Sequence, residues 1–548
     1  MSIVFKIFLV FALFSSLFSA DFMEKDFKVT LEWLENKPKS NERDFFIVQF
    51  LNYDTTTKEE AQKAYDLRRG YNASLEKLYN QKFAQELNEE EKFCKNADFK
   101  TLIKQDSSCI QTALDSVNKL FKLSKKELHY LIPKVKDENL KENLQILASK
   151  NIFKELSVNK HSKFIEFFFA TNGQDRLKYF NRKLTKELLE NIVLDRDFDK
   201  FLRVVIFNNE YKNIQKSLYI LNQNQNLTAY NSFLLGINEV NHNNSKLANN
   251  FFKISYKKSF LRSQKDNALF WLYLTSDDKN YLEELANSYD TNLYSLYAKE
   301  ILNKYPTNII YSLDTNKNSS SFNIYDSFAW FDINNDVRSE LNEEKLAKYY
   351  DILDTKETKT HLAYILERYD NFKTQYFLTP YRDIIKEQGI FKELLIYAIA
   401  RQESRFIPSA ISVAGAQGIM QIMPFLSEDI ARRLKEPYNI YEQFIPEKNL
   451  KYASFHLDNL IKQFDSNPLF VAYAYNGGAG YTKNQLKKGL FTKTNKYEPF
   501  LSMEMISYQE TKEYGKRVLA NFYIYNNYLN SENKISLSTI FQNLKQPQ

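Results

Sequence analysis

A chain of 548 residues with 43% apolar and 26% charged residues is neither disordered nor a polytopic membrane protein, and it is too long for one core. Only 11 Gly and 11 Pro accompany 44 Phe and 37 Tyr, too few turn formers for an all-β fold, and no glycine-rich phosphate loop follows a strand-like run, so a mainly all-α chain is expected. The net charge of +7, from 75 basic and 68 acidic residues, permits an anionic partner, but without a basic stripe interleaved with aromatics it does not point to nucleic acid.

At the amino terminus Lys6 precedes the apolar run 7–14 and Ser15-Ser16-Leu17-Phe18-Ser19-Ala20. A positive start, a short apolar stretch and a small final residue describe a secretory signal over 1–20. The run is short for a hydrocarbon core of about 30 Å, and a single membrane anchor is the alternative. Cys94 and Cys109 are the only cysteines. They lack histidines at ligand spacing for a zinc site, so no metal is expected, and in an oxidising compartment they pair as a disulfide.

Residues 21–305 read as short amphipathic helices. Tyr281, Leu282, Leu285, Ala286 and Tyr289 recur as one buried helix face does. Similar units at 198–206, 214–221 and 247–260 lack a constant period, which predicts a superhelix of helical hairpins, with an irregular bundle as the alternative. Residues 306–375 form a small helical linker domain: a polar Ser/Asn-rich start, then helices carrying Phe328, Trp330, Leu346 and Tyr349. Eight of the eleven glycines fall at or after 389, so tight backbone geometry is concentrated in a third region, 376–548.

That region holds the chemistry. Residues 393–402 make an apolar helix, buried over most of its surface, and Glu403 stands at its end before Ser404-Arg405-Phe406-Ile407-Pro408 breaks it. A carboxyl so placed is partly desolvated, which raises its pKa and suits it to the general acid of glycosidic cleavage. A solvated or capping Glu is the bland alternative. Downstream, Gly415 and Gly418 would allow close approach by a bulky ligand. Gln421 could read an amide or hydroxyl, and Met423 offers an adaptable apolar surface to a sugar face. Tyr473, Tyr475 and Asn476 precede another glycine turn. Glu428 and Asp429 read as acids in the first turn of a helix, and His456 as a packing residue.

Gln402-Glu403-Ser404, Gly415-Ala416-Gln417-Gly418-Ile419-Met420-Gln421-Ile422-Met423-Pro424, Ala474-Tyr475-Asn476-Gly477-Gly478-Ala479-Gly480 and Glu510-Thr511-Lys512-Glu513-Tyr514 resemble, in order and rough spacing, the motifs of soluble lytic transglycosylases. These are family-23 glycoside-cleaving enzymes with a goose-type-lysozyme-like catalytic domain. The motifs span 380–525; the N-terminal region matches only in kind, by its superhelix and helical linker. Two departures stand out: Gly477-Gly478-Ala479-Gly480 replaces the commoner Ala-Gly-Pro-Gly, and Ile407 stands where Asn often precedes the proline.

The resemblance implies that 376–548 is a lysozyme-like catalytic domain in which Glu403 is the sole acid/base. Ser412 would lie near the substrate N-acetyl group, Gln421, Met423, Tyr475 and Asn476 would line the glycan groove, and Glu510 would meet the distal sugar or stem peptide. It implies cleavage of the MurNAc–GlcNAc linkage of peptidoglycan to 1,6-anhydro-MurNAc, with no cofactor. The enzyme would be a periplasmic monomer with no stable membrane insertion once the signal is removed. A hydrolase on the same fold and a non-catalytic glycan-binding scaffold are the rival readings.

Overall fold

A computed structural model describes residues 21–24, 27–83, 89–492 and 496–544; the expected signal over 1–20 lies outside them. Helix dominates, as the apolar spacing requires. Among the described residues the one sheet is a parallel pair of two-residue strands, Ile309–Ile310 and Gln375–Tyr376, with Ile309 opposite Gln375. No described helix is long and apolar enough to cross a membrane.

The chain divides into two compact units that cut across the three sequence segments. The first takes Met1–Ala84, Ala286–Lys493 and Tyr508–Gln548; the second takes Gln85–Leu285 with Thr494–Ser507.

In the second unit, successive helices Ala229–Asn241, Ser245–Lys258 and Arg262–Ser276 pack side by side. Gly236 permits the first contact, because a Cβ there would overlap the Phe252 ring. Phe252 in turn stacks on the buried Trp271, with ring centroids 5.7 Å apart. The 494–507 segment is built into this unit: Phe500 meets Phe270 edge to face at 4.7 Å, and the Tyr497 and Ser245 hydroxyls share a 2.9 Å hydrogen bond. Cys94 and Cys109, on helices Glu89–Asn96 and Ser107–Ala113, are joined as a disulfide. Closing a loop of this size removes unfolded-state freedom worth about 3 kcal/mol. Replacing both cysteines by serine is therefore expected to lower the urea midpoint of this unit, read by circular dichroism; an unchanged midpoint would count against that assignment of stability.

The first unit holds two apolar clusters that matter for the site. In one, Phe22, Phe45 and Phe46 from the amino-terminal helices pack with Phe328, Ile411 and Phe444. In the other, Trp330, Ile333, Leu353, Leu362 and Ile365 of the 306–375 segment surround Ile407. The unusual Ile407 thus has a packing reason: it anchors the turn after Glu403 in an apolar core. The helix Ile390–Glu403 is buried continuously from Glu393 to Arg401 and lies along the long helix Gln509–Leu529. The helix Pro468–Gly477 packs on the same partner. Gly515 makes that approach possible, since a Cβ there would strike the Tyr473 ring.

Candidate active site

Glu403 is the last residue of its helix, and the Ser404 amide closes the final turn on the Ala400 carbonyl at 3.0 Å. The side chain is half-buried, so its carboxyl is reachable yet poorly hydrated. Burial pushes its pKa up from 4.5 to about 7, and the charge of Glu510 adds to the rise; a hydrogen bond from Tyr514, which favours the carboxylate, opposes it. The Tyr514 hydroxyl donates to Oε1 at 2.7 Å. Burial, and then the nearby Glu403 charge, raise the Tyr514 phenol far above its ordinary range, so it remains a donor. Tyr514→Phe should therefore move the basic limb of the pH–rate profile of Glu403 to higher pH, because the bond that favours the ionised form is gone. A limb that stays in place or moves lower would show that the bond does not tune the acid.

The residues expected to line a groove have different surroundings. Tyr475 donates to the Met420 carbonyl at 2.7 Å, its ring lies 5.6 Å from that of His456, and its phenol is raised by burial and then by the charge of Glu403. His456 is half-buried, and burial lowers its pKa. Asn476 accepts from the Thr511 hydroxyl at 2.8 Å, which ties the glycine turn to the helix carrying Glu510 and Tyr514. Glu510 is exposed on the first turn of that helix. Gln421 sits at φ +49°, and its amide nitrogen donates to the Ala410 and Gly418 carbonyls at 3.0 and 2.9 Å. That nitrogen braces the loop, so the side-chain carbonyl is the group left without a hydrogen bond to the loop. Met423 is half-buried at the N-cap of the helix Pro424–Leu434. Ser412 keeps its hydrogen bonds within its own turn, accepting from the Ala416 amide at 3.0 Å. Beside that turn opens a groove of about 690 Å³ whose lining includes Asn41, Phe45, Val413, Gly415, Phe425 and Tyr441.

Two expectations need correction. Gly418, at φ +75°, makes room for the protein itself: a Cβ there would overlap the Gln443 carbonyl and Asn449, so the close approach is internal. Glu428 and Asp429 are not first-turn acids. Pro424 starts their helix, which puts them in its second turn, where Asp429 pairs with Arg432 and with Arg433, the latter at 2.7 Å.

Some residues were missed. Tyr514 lay within a quoted motif but four residues after Glu510, on the same helix face, a spacing that could have flagged it. Arg401 is the one basic residue in the buried run from Glu393 to Arg401, which announces a buried partner. That partner, Glu367, carries no local signal.

Residues 383–498 match the family model of the Transglycosylase SLT domain. The soluble lytic murein transglycosylase of Escherichia coli (strain K12) is 33% identical over 149 residues, 26% of this chain and 22% of that protein. A putative soluble lytic murein transglycosylase of Haemophilus influenzae is 31% identical over 171 residues, 31% of this chain and 27% of that protein. The sequence match thus spans about a quarter of each relative. The crystal structure of the 70 kDa soluble lytic transglycosylase of E. coli superposes with a TM-score of 0.51, covering 93% of this chain and 84% of that one at 18% identity. The shared feature is the fold: a helical superhelix joined to a lysozyme-like domain, as expected.

Proposed function

We propose that this chain is a peptidoglycan lytic transglycosylase that cleaves the MurNAc–GlcNAc bond without water. The observation that carries the reading is Glu403: a helix-terminal carboxyl pushed to about 7 holds a proton near neutrality and can give it up. Protonated Glu403 gives its proton to the leaving GlcNAc oxygen as the C1–O bond breaks. The 2-acetamido oxygen of MurNAc bonds to C1 in its place. The C6 hydroxyl then attacks C1, expels that oxygen and returns its proton to Glu403. Atoms balance with no water consumed, and the tethered hydroxyl competes through its high effective concentration.

A two-carboxylate glycosidase needs a second acid across the sugar. Asp429 is tied to arginines and Glu428 is exposed on the groove wall, which supports a mechanism in which the substrate's own acetamido group, rather than a second buried carboxylate, assists at C1. The groove lined by Val413, Pro424 and Phe425 gives room for a strand, and Met423, Gln421, Tyr475 and Asn476 are the side chains we assign to glycan binding nearer the acid. The secretory-signal pattern read in the sequence at 1–20 supports action in the periplasm. Mass spectrometry of digested, purified sacculi decides the matter: products one water lighter than the hydrolytic muropeptides and lacking a reducible end are expected. Reducible products would establish a lysozyme instead, and an intact wall would refute both.

A further inference from the structure

Glu367, on the helix Lys359–Tyr369, is 1% exposed. Its two oxygens engage two different arginines: Arg401 Nη2 lies 2.9 Å from Oε1, and Arg405 Nε lies 3.1 Å from Oε2. These arginines stand two residues before and two residues after Glu403. The Tyr376 amide also donates to Oε1 at 2.8 Å. Arg401 is fixed further by the Tyr376 carbonyl at 3.1 Å, by Gln375 at 3.2 Å and by the face of Phe377, 3.8 Å from its guanidinium carbon. A buried carboxylate is tolerated only when partners of this kind surround it.

Between its two grips the chain leaves the helix through an unfavourable turn. Arg405 and Phe406 both adopt positive φ, +54° and +64°. Two consecutive non-glycine residues in this region persist only where their surroundings over-determine them, and such strain gathers at functional sites. Here Glu367 holds Arg405, Phe406 is buried beside Tyr397, Ile407 sits in the Trp330 cluster, and the Ser404 hydroxyl donates to the Ile419 carbonyl at 2.7 Å.

We propose that Glu367 is a positioning residue: by gripping Arg401 and Arg405 it fixes the strained turn that ends the acid helix and so aims the Glu403 carboxyl at Tyr514 and the scissile oxygen. The inference rests on Glu403 being the acid. Glu367 itself touches no substrate and acts through the two arginines. Tyr514 and Glu510, the groups whose hydrogen bond or charge acts on Glu403, are untouched by changes at 367 or 405.

The test uses the full chain carrying Glu367→Gln or Arg405→Gly. The second variant removes one grip while relieving the backbone, since glycine accepts positive φ; it carries the test should the first not fold. For either, kcat on purified sacculi should fall about tenfold with KM within twofold. The carboxyl of Glu403, followed by carbon-13 NMR without substrate, should titrate below its starting value of about 7 as the loosened turn admits water. Arg405→Lys, which keeps a cation, should recover part of both losses. A lower melting temperature with kcat and the Glu403 titration both unchanged would make Glu367 merely structural and overturn the proposal. Because the titration needs no substrate, a wild-type chain inactive on cell wall would refute the function while leaving this result readable.

Discussion

Glu403→Gln is expected to remove wall cleavage and to strengthen the fold above neutral pH. The amide can neither give the proton nor take it back, so loss of both roles should reduce sacculus solubilisation by about a thousandfold or more. The stability effect follows from the raised pKa. Below pH 4.5 the carboxyl is protonated in folded and unfolded chains alike and contributes no difference. As pH climbs from there through about 7, the unfolded chain ionises first, and the native state is left holding a charge its surroundings disfavour. Above pH 7 this costs the wild type on the order of 1–3 kcal/mol. Glutamine escapes that cost, so the variant should melt several degrees higher at pH 8 and at the same temperature as wild type at pH 4. Equal melting at both pH values would contradict the desolvated site, and retained cleavage would remove Glu403 from the mechanism.

Gly515→Ala should damage stability and turnover together. The Tyr473 ring that the new methyl would strike is 1% exposed and flanked by Phe491, with centroids 6.4 Å apart. The ring cannot swing away, and overpacking of this kind costs about 1–3 kcal/mol. The helices forced apart carry Tyr514 on one side and Tyr475 with Asn476 on the other, so cleavage should fall at least tenfold even at temperatures where the variant is folded. Gly480→Ala is the control: nothing lies within 4 Å of its Cβ position, and alanine in a helix gains about 0.5–1 kcal/mol over glycine. Thermal melts and sacculus assays on the pair check this. Similar behaviour of the two variants would mean that the approach of the helices does not shape the site.

The acid was legible because a long apolar helix ending in a carboxylate states both its burial and its limit. Period and composition also sufficed for the helical hairpins: Arg262–Ser276 and Lys279–Ala286 fall on either side of Asp277, as the Ser-Asp-Asp turn implies. Other features depend on what a face meets. The apolar run 45–48 says that Phe45 and Phe46 are buried, but not that Ile411 and Phe444 cover them. Arg401 advertises a need for a carboxylate, yet Glu367 is 34 residues away on another helix. The second-turn placement of Glu428 and Asp429 turned on Pro424, which begins a helix as well as it ends one. Strands of two residues are too short to display alternation, so the pairing of Ile309 with Gln375 left no trace.

The first unit is assembled from three stretches of chain, with Phe22 and Phe46 near one end and Tyr514 near the other. Contacts so distant along the polymer raise the loop-closure entropy that must be overcome before any reward arrives, which slows assembly. The amino-terminal helices are synthesised first, but their aromatic cluster lacks Phe444 until most of the chain exists, and the acid lacks its tyrosine until later still. Under the proposed function that wait is protective: Glu403 gains its Tyr514 donor only after residue 514 has been made, so shorter nascent chains would lack a completed site for glycosidic cleavage.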